Sequence, residues 1–331
     1  MGWLGKILPR RTRFVGIDLG TAEVKMAEIE VGNRDPEVIA LRRLTSPPGV
    51  EGEMEEDQVV EILKQLSPGV KEVISCLPPE KVVTRILRLP PMSDKEREEA
   101  VRPELERVIP APREEMIIRS LWLEEKPSSQ EGRRCLALAA PVSLVYLYHS
   151  LFARAGLTLG VLDLPAFALY RLFAQQIQRE NVALVDVGAR VTQVVITRGP
   201  EIVFLRSFSV GGDLFTRLAA EYLGVGLEEA EKAKLEVAAT SPEPEEIFRS
   251  AVLELGREVK RCLDFCENQE GVKVGRIILS GGGAKLRFLP AFLESMLGVK
   301  TSIETPLLHF SFPYDPSFAI ALGLALREVV K

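Results

Sequence analysis

The chain is poor in the residues that build metal centres, with 4 cysteines and 2 histidines among its 331 residues. Cys76, Cys135, Cys262 and Cys266 show no Cys-x-x-Cys spacing. Structural zinc sites need closely spaced cysteine and histidine ligands, so no zinc site is predicted. Cys262 and Cys266 are one helical turn apart and are predicted to be small buried apolar residues. So few cysteines are typical of a protein from a reducing cytosol.

Positive charge is also in short supply. Lysine and arginine number 42 against 47 aspartate and glutamate residues, which gives a formal net charge of -5. A general nucleic-acid-binding protein needs a basic face, so no nucleic-acid partner is predicted. No apolar run reaches the about 20 residues that a bilayer-spanning helix needs. Residues 1–13 mix apolar and basic side chains, but Pro9 limits any helix there to about two turns, which favours a plain leader over a membrane-binding helix.

Two common signatures are missing as well. The chain has no Gly-Lys-Ser/Thr run of a P-loop and no Gly-x-Ser-x-Gly elbow, which argues against a Walker-type nucleotide site and a serine hydrolase. What the chain has instead is a pair of matching turns, in residues 15–25 (VGIDLGTAEVK) and 184–192 (LVDVGARVT). Each consists of an apolar strand, an Asp-x-Gly turn and a second apolar strand.

The two turns have the chemistry of a phosphate site. A glycine leaves the backbone N–H groups of a turn open to a phosphate, and a carboxylate at a strand end can hold a hydrated Mg²⁺ ion. One such turn alone is also what an ordinary tight hairpin contains, but two in matching contexts indicate duplicated half-molecules that face one another. The candidate phosphate-binding residues are Asp18, Gly20, Thr21, Lys25, Asp186, Gly188 and Thr192, with Asp18 and Asp186 as magnesium ligands that act through water.

Three further elements fit the rest of a nucleotide. The run 279–283 (LSGGG) offers a flat surface for an adenine ring or ribose, although a tight strand-to-helix turn has the same composition. Gly211 and Gly212 precede a helix whose first N–H groups can meet ribose or phosphate. Glu231 and Lys234 are one turn apart and fit either ribose and adenine or a plain surface ion pair. The candidate residues here are Gly211, Gly212, Glu231, Lys234, Gly281, Gly282, Gly283 and Lys285, and no catalytic residue is predicted.

Residues 79–142 have a pattern of their own. An alternating strand over 81–89 is followed by a charged helix, which Ser93 and Glu96 begin with a capping box, and then by two further strands. This strand–helix–strand–strand order predicts an inserted subdomain. Later in the chain, long helices are predicted over residues 245–266 and 317–330.

In order and content these elements resemble the actin, Hsp70 and sugar-kinase superfamily. The two Asp-x-Gly turns look like its phosphate motifs, and residues 280–285 look like its adenosine motif. The helices at 165–174 and 316–326 look like its two crossing connect helices. The resemblance covers nearly the whole chain. It implies an α/β, actin-like (RNase H-like) two-lobed ATPase fold that binds ATP and Mg²⁺ between its lobes.

The inserted segment narrows the resemblance to the PilM family of type IV pilus assembly proteins, in the FtsA/PilM branch. Four runs are similar to that family: 76–90 (CLPPEKVVTRILRLP), 104–110 (ELERVIP), 211–216 (GGDLFT) and 318–326 (FAIALGLAL). The implied division is a first lobe (1–78 and 143–180), an inserted FtsA/PilM-type subdomain (79–142), a second lobe (181–220 and 275–331) and a subdomain 2B (221–274).

The resemblance also implies a role in type IV pilus biogenesis and twitching motility. It implies a cytoplasmic ATP-binding adapter at the inner face of the cytoplasmic membrane, which binds the N-terminal tail of a PilN-type membrane protein in a groove beside the insertion. Contact with the membrane would be indirect, and contact with pilus motor ATPases is left open. Leu164, Pro165 and Ala166 stand where hydrolysing relatives have a polar residue, so ATP is expected to act as a conformational ligand with at most weak turnover. An FtsA-like filament protein and a small-molecule kinase of the same superfamily remain as alternatives.

Overall fold

A computed structural model describes residues 12–32, 35–46, 55–109, 115–123, 132–240 and 244–329. Its strands are β1 (Thr12–Leu19), β2 (Glu23–Val31), β3 (Glu37–Thr45), β4 (Glu72–Cys76), β5 (Val83–Leu89), β6 (Met116–Trp122), β7 (Arg133–Pro141), β8 (Thr158–Asp163), β9 (Asn181–Val187), β10 (Thr192–Arg198), β11 (Glu201–Phe208), β12 (Arg276–Ser280), β13 (Lys300–Ser302) and β14 (His309–Phe310). Its helices are α1 (Glu56–Leu66), α2 (Asp94–Glu106), α3 (Val142–Arg154), α4 (Pro165–Phe173), α5 (Gly212–Leu223), α6 (Leu227–Thr240), α7 (Pro244–Ile247), α8 (Arg249–Glu270), α9 (Leu289–Leu297) and α10 (Ala319–Ala325).

Two sheets define two lobes. The sheet of the first lobe has the order β14-β3-β2-β1-β4-β8, and that of the second lobe has the order β11-β10-β9-β12-β13. Each contains an antiparallel hairpin, β1–β2 or β9–β10, whose first strand also pairs in parallel with a later strand, β4 or β12. The two sheets therefore repeat one arrangement, and an Asp-x-Gly turn lies at the tip of each hairpin.

Two helices cross between the sheets and hold the lobes together. α4 and α10 share a buried cluster that takes side chains from both sheets, including Ile74 of β4 and Leu184 of β9. Gly323 permits the crossing, because a Cβ atom there would overlap the carbonyl oxygen of Ala168. Arg171 of α4 donates a hydrogen bond to the Gly323 carbonyl oxygen at 2.8 Å. The crossing that the sequence implies is therefore present.

The segment between β4 and α3 forms a separate three-stranded sheet of order β5-β7-β6. Because side chains alternate across a strand, Cys135 and Ala137 of β7 pack with Val101 and Leu105 of α2, while Leu136 packs toward the first-lobe core. The sheet is thus buried on both faces, between α2 and the first lobe.

α2 begins as the sequence predicts. The Ser93 hydroxyl oxygen accepts a hydrogen bond from the Glu96 N–H at 3.4 Å, and the Glu96 carboxylate accepts one from the Ser93 N–H at 2.8 Å. These two bonds satisfy N–H groups that a helix start leaves without a partner. Pro103 does not end the helix, which runs on to Glu106.

The long helix predicted over residues 245–266 is wrong at one point, since the chain leaves the helix at Phe248 and forms α7 and α8 instead. Phe248 is fully buried. Its ring centroid lies 5.8 Å from that of Phe215 and 5.6 Å from that of Phe288. Packing of these three rings in the second-lobe core outweighs the continuity of the helix.

The closing helix is also shorter than predicted. α10 covers Ala319–Ala325, with 3₁₀ turns at Pro316–Phe318 and Leu326–Glu328, and residue 330 lies outside the described part of the chain. The short strand β14 is not predicted, because two residues are too few to show alternation. Within the described ranges, no helix combines the length and the apolar character that a membrane crossing needs.

Candidate functional site

The first Asp-x-Gly turn joins β1 to β2. Asp18 lies opposite Lys25 in the hairpin register. A Cβ atom on Gly20 would lie 2.7 Å from the Glu23 carbonyl oxygen, so the tight turn needs a glycine there. The Lys25 Nζ and the Asp18 Oδ2 each lie 3.7 Å from the position that this Cβ atom would take. The Lys25 side chain therefore reaches back to the turn, and Thr21 is exposed at its tip.

The second turn joins β9 to β10. The Gly188 N–H donates to the Val191 carbonyl oxygen at 3.0 Å, which closes the turn. The fully buried Thr192 donates its hydroxyl to the Val210 carbonyl oxygen at 2.6 Å. Thr192 therefore holds the turn in place, and its hydroxyl is committed within the protein. Ser280, at the end of β12, donates to the Asp186 Oδ1 at 3.1 Å, a contact that the sequence does not predict.

Asp18 and Asp186 bring two half-buried carboxylates to the same region from different lobes. Burial raises the pKa of Asp18, and the charge of Lys25 opposes that rise. Burial raises the pKa of Asp186 to about 6, and the charge of Asp18 adds to the rise, while the hydrogen bond from Ser280 lowers it. The charge of Asp18 thus acts on Asp186, which indicates that the ends of β1 and β9 lie near each other. The charge of Lys25 lowers the pKa of both carboxylates, but by less than burial raises it, so the pair keeps a deficit of positive charge.

A hydrated Mg²⁺ ion fits this deficit. Magnesium is commonly held by one or two carboxylates together with waters and substrate phosphates, and does not need a full cage of protein ligands. Across the ranges that the structure describes, no three His, Cys, Asp or Glu side chains form such a cage. Asp18 and Asp186 are thus suited to a cation that arrives with a phosphate ligand.

The three glycines after β12 differ in what lies beside them. Gly281 has φ +83°, a conformation that favours glycine, and its N–H donates to the Pro316 carbonyl oxygen at 2.9 Å. Cβ atoms on Gly281 and Gly283 would overlap Val187. A Cβ atom on Gly282 would meet nothing within 4 Å. Gly281 and Gly283 therefore serve packing, and Gly282 alone leaves an open surface.

The start of α5 is joined to the second turn. The Gly212 N–H donates to the Gly188 carbonyl oxygen at 2.8 Å, and the Asp213 N–H donates to the Ala189 carbonyl oxygen at 2.8 Å. A Cβ atom on Gly211 would lie 2.6 Å from both of those carbonyl oxygens. The Gly212 N–H, which the sequence assigned to ribose or phosphate, is therefore satisfied by the protein, and Gly211 and Gly212 position the turn.

Glu231 and Lys234 of α6 come to the same place. The Lys234 Nζ lies 2.7 Å from the Glu231 Oε2, 3.0 Å from the Thr216 Oγ1 and 3.4 Å from the Gly212 carbonyl oxygen. The Lys234 side chain is nearly buried, and half of the Glu231 side chain is exposed. The pair is thus a fixed ion pair next to α5, and the Glu231 carboxylate is accessible to hydroxyl groups.

Asp315 contacts the candidate site residue Lys285, and the sequence does not predict this contact. Its carboxylate lies 3.3 Å from the Lys285 Nζ and also pairs with Arg43 of β3. Burial would raise the pKa of Asp315, but hydrogen bonds from Ser317 and Arg43 and the charge of Lys285 hold it below its usual value. Lys285 is therefore engaged with Asp315 in this state, and a ligand would compete for it. The Asp-Pro pair before a predicted helix was the available signal, because aspartate is a common helix cap.

Asp163 is fixed by two arginines. Its Oδ2 accepts hydrogen bonds from Arg171 at 2.9 Å and from Arg327 at 3.1 Å, and its Oδ1 accepts one from the Leu164 N–H at 2.8 Å. These bonds anchor the start of α4 and the end of the chain's last described helical segment. The carboxylate nearest to α4 thus has a structural role in this arrangement.

Two sheets of the same design, with their hairpin turns facing across a pair of crossed helices, define an actin-like ATPase fold. Solved structures agree with this assignment of the fold. EutJ from Carboxydothermus hydrogenoformans matches with a TM-score of 0.59 at 16% identity, over 96% of this chain and 91% of that chain. MreB5 of Spiroplasma citri bound to ADP matches with a TM-score of 0.55 at 14% identity, over 96% of each chain.

The chain belongs to the family of the type IV pilus assembly protein PilM. The family model matches residues 16–329. A PilM-PilN type IV pilus biogenesis complex matches with a TM-score of 0.85 at 30% identity, over 97% of this chain and 100% of that chain. The family resemblance read from the inserted segment is thereby confirmed.

Proposed function

We propose that this chain is a nucleotide-binding adapter of the type IV pilus assembly platform. It binds Mg-ATP between its lobes and the N-terminal cytoplasmic tail of a PilN-type membrane protein beside its inserted subdomain. The observation that carries the proposal is the 30% identity over 97% of the chain to the protein of a PilM-PilN complex. The adapter works in the cytoplasm, at the inner face of the cytoplasmic membrane, because the tail of its partner lies there.

The proposed subdomains follow the sheets, except that the end of the last segment joins the first-lobe sheet. Residues 1–78 and 143–180 form the first lobe, 79–142 the inserted subdomain, 181–220 and 275–331 the second lobe, and 221–274 subdomain 2B. The last segment ends by crossing back, since β14 pairs with β3 and α10 packs on β1 and β2. Movement of the second lobe is therefore transmitted to the first-lobe sheet through this segment.

The proposed nucleotide site uses residues of both lobes. The N–H groups of the first turn, at Gly20 and Thr21, bind phosphate oxygens, and Lys25 adds positive charge. Gly188 has no side chain and so leaves the second turn open to the phosphates from the other lobe. Gly282 provides the surface on which the base lies, with Glu231 and Lys234 beside the ribose and adenine. A Mg²⁺ ion bound with the nucleotide would supply the positive charge that Asp18 and Asp186 lack, and those residues would hold it through water.

ATP acts in this proposal as a conformational ligand. The carboxylate nearest to α4, Asp163, is bonded to Arg171 and Arg327, and both of its oxygens accept hydrogen bonds within the protein. A general base or a water-positioning group must be free to meet the attacking water. Weak turnover, at most, is therefore expected, and the binding energy of ATP is used to draw the lobes together.

The tail is proposed to lie where the inserted sheet meets the first lobe. β6 is an edge strand that pairs only with β7 among the described strands. A strand edge offers N–H and carbonyl groups to an extended peptide. The Arg119 side chain donates to the Ile118 carbonyl oxygen at 2.8 Å and so covers part of this edge. The Val142 N–H donates to the Glu115 carbonyl oxygen at 2.9 Å, which ties the start of β6 to α3.

Tyr146 of α3 gives the proposal a test. It lies one helical turn after Val142, which is bonded to Glu115, and is 72% exposed although it is a large apolar side chain. We expect Tyr146→Ala to weaken binding of a synthetic peptide with the N-terminal sequence of the PilN-type protein by about tenfold or more, in line with loss of an aromatic anchor. Tyr222→Ala is the control, because Tyr222 is also exposed, at 57%, but lies on α5 of the second lobe.

The measurement is fluorescence anisotropy of the labelled peptide, alongside titration of the same chain with Mg-ATP. The adapter proposal requires the wild-type chain to bind both. A wild-type chain that captures no peptide contradicts the adapter role. Equal losses of peptide affinity in Tyr146→Ala and Tyr222→Ala would contradict the placement of the tail at this junction.

A further inference from the structure

The inserted subdomain also contacts the second lobe, through two arginines. Arg88 of β5 and Arg134 of β7 lie directly opposite each other in the antiparallel register. Like charges in this position repel one another. Here both guanidinium groups donate to one carboxylate, that of Glu270 at the end of α8, at 2.6 Å and 3.2 Å. The arginine pair of the insertion is thus matched by an acid of the second lobe.

A second carboxylate of the second lobe completes the cluster. Glu201, at the start of β11, accepts hydrogen bonds from Arg134 at 3.0 Å and from Arg198 at 2.9 Å. The Arg134 side chain is only 1% exposed. A charge buried so deeply is tolerated only when it is paired. Pairing of the buried Arg134 with Glu201 and Glu270 therefore favours the docked position of the insertion on the second lobe.

Apolar contacts accompany the ion pairs. Leu205 of β11 packs against the first-lobe core cluster, which also includes Leu136 of β7 and has Ile86 of β5 packed against it. β11 also touches the 3₁₀ turn Pro79–Lys81, where the insertion begins. The insertion is covalently part of the first lobe and is docked by these contacts on the second. It therefore spans the two lobes beside the crossing of α4 and α10.

We propose that the cluster of Arg88, Arg134, Glu201 and Glu270, which we call the brace, couples the nucleotide cleft to the tail-binding junction. This inference rests on the proposed function. A ligand that draws the second lobe toward the first displaces Glu201 and Glu270, and the brace transmits that displacement to β5 and β7. Since β7 pairs with β6, the edge that receives the tail moves with it. Nucleotide and tail then raise each other's affinity, by the same factor in both directions.

The test compares tail affinity with and without nucleotide. The dissociation constant of the labelled N-terminal peptide is measured by anisotropy in the absence of nucleotide and with saturating Mg-ADPNP. For the wild-type chain we expect ADPNP to tighten peptide binding by about 5-fold or more, a usual size for coupling between sites. The ratio of the two dissociation constants, without nucleotide and with Mg-ADPNP, measures the coupling. In the double variant E201Q/E270Q, which keeps the shape of both side chains, we expect this ratio to fall to within about twofold of one.

Glu267→Gln is the control, because it makes a single Glu-to-Gln change of the same kind at an exposed position of α8. It is expected to keep the wild-type ratio. If E201Q/E270Q does not fold, Arg88→Gln takes its place, since Arg88 is 28% exposed and its loss leaves Arg134 with both carboxylates. That variant is expected to lose at least about half of the coupling factor.

The outcomes separate the brace from the adapter role. A wild-type chain that binds both ligands with a ratio of one overturns the brace and leaves the adapter proposal standing. A folded brace variant with the full wild-type ratio also overturns the brace. A wild-type chain that binds neither the peptide nor the nucleotide overturns both proposals.

Discussion

Gly282 allows a test of the nucleotide site that does not disturb the fold. It is exposed, and a Cβ atom there would meet no heavy atom within 4 Å, whereas Gly281 and Gly283 are packed against Val187. Its backbone lies outside the conformations that only glycine adopts freely. Gly282→Leu is therefore expected to fold, and to change the free energy of unfolding by no more than about 1 kcal/mol.

The same substitution should obstruct the nucleotide. If the base lies on Gly282, a leucine side chain occupies its place, and overpacking of this kind costs about 1–3 kcal/mol. That cost corresponds to binding of Mg-ATP that is about 5- to 150-fold weaker. The assay is isothermal titration calorimetry with Mg-ATP, together with urea denaturation to confirm the fold.

Gly226→Leu is the control for Gly282→Leu. Gly226 is also exposed, and a Cβ atom there would likewise meet nothing within 4 Å, but it is not a candidate nucleotide residue. It should keep wild-type affinity. A folded Gly282→Leu chain with unchanged affinity for Mg-ATP would refute the placement of the base.

Three further predictions concern stability. The pKa of Asp186 is raised to about 6 in the folded chain, so the free energy of unfolding falls as the pH rises from about 4 to about 6. Asp186→Asn removes this titration and should raise the free energy of unfolding at pH 7.5 by on the order of 1–3 kcal/mol, with no gain at pH 4. Urea denaturation at the two pH values measures the difference. Gly323→Ala should destabilise the chain by about 1–3 kcal/mol, because the added methyl group overlaps the Ala168 carbonyl oxygen, while Gly226→Ala should not. Asp163→Ala should cost on the order of 3 kcal/mol, because it leaves the nearly buried Arg171 without its carboxylate, and unchanged stability would contradict that role.

Much of the fold could be predicted because its signals are local. The Asp-x-Gly turns, the capping box at Ser93 and Glu96, and the alternation in the inserted strands each depend on neighbouring residues. Local patterns of this kind are the features of a structure that can be predicted most directly from a sequence. The break at Phe248 escaped prediction because it depends on packing with Phe215 and Phe288, which lie far away in the sequence.

The placement of the candidate site residues could be predicted in part from the sequence, but their hydrogen bonds could not. The facing carboxylates Asp18 and Asp186 and the position of Lys25 follow from the turns themselves. The commitment of the Thr192 hydroxyl to Val210 and the pairing of Lys285 with Asp315 depend on how strands and turns meet in three dimensions. Nothing in the local pattern of residues indicates these partners.

The central claim is that one Mg-nucleotide is held by both lobes at once. The most direct measurement is a double-mutant cycle across the cleft, in which Mg-ATP affinity is determined for the wild-type chain, Asp18→Asn, Asp186→Asn and the double variant. Because both carboxylates would hold the same ion, each single change should weaken binding by about tenfold or more, and the double variant should be little weaker than the worse single variant. Wild-type affinity in either single variant, or fully additive losses in the double variant, would contradict the claim.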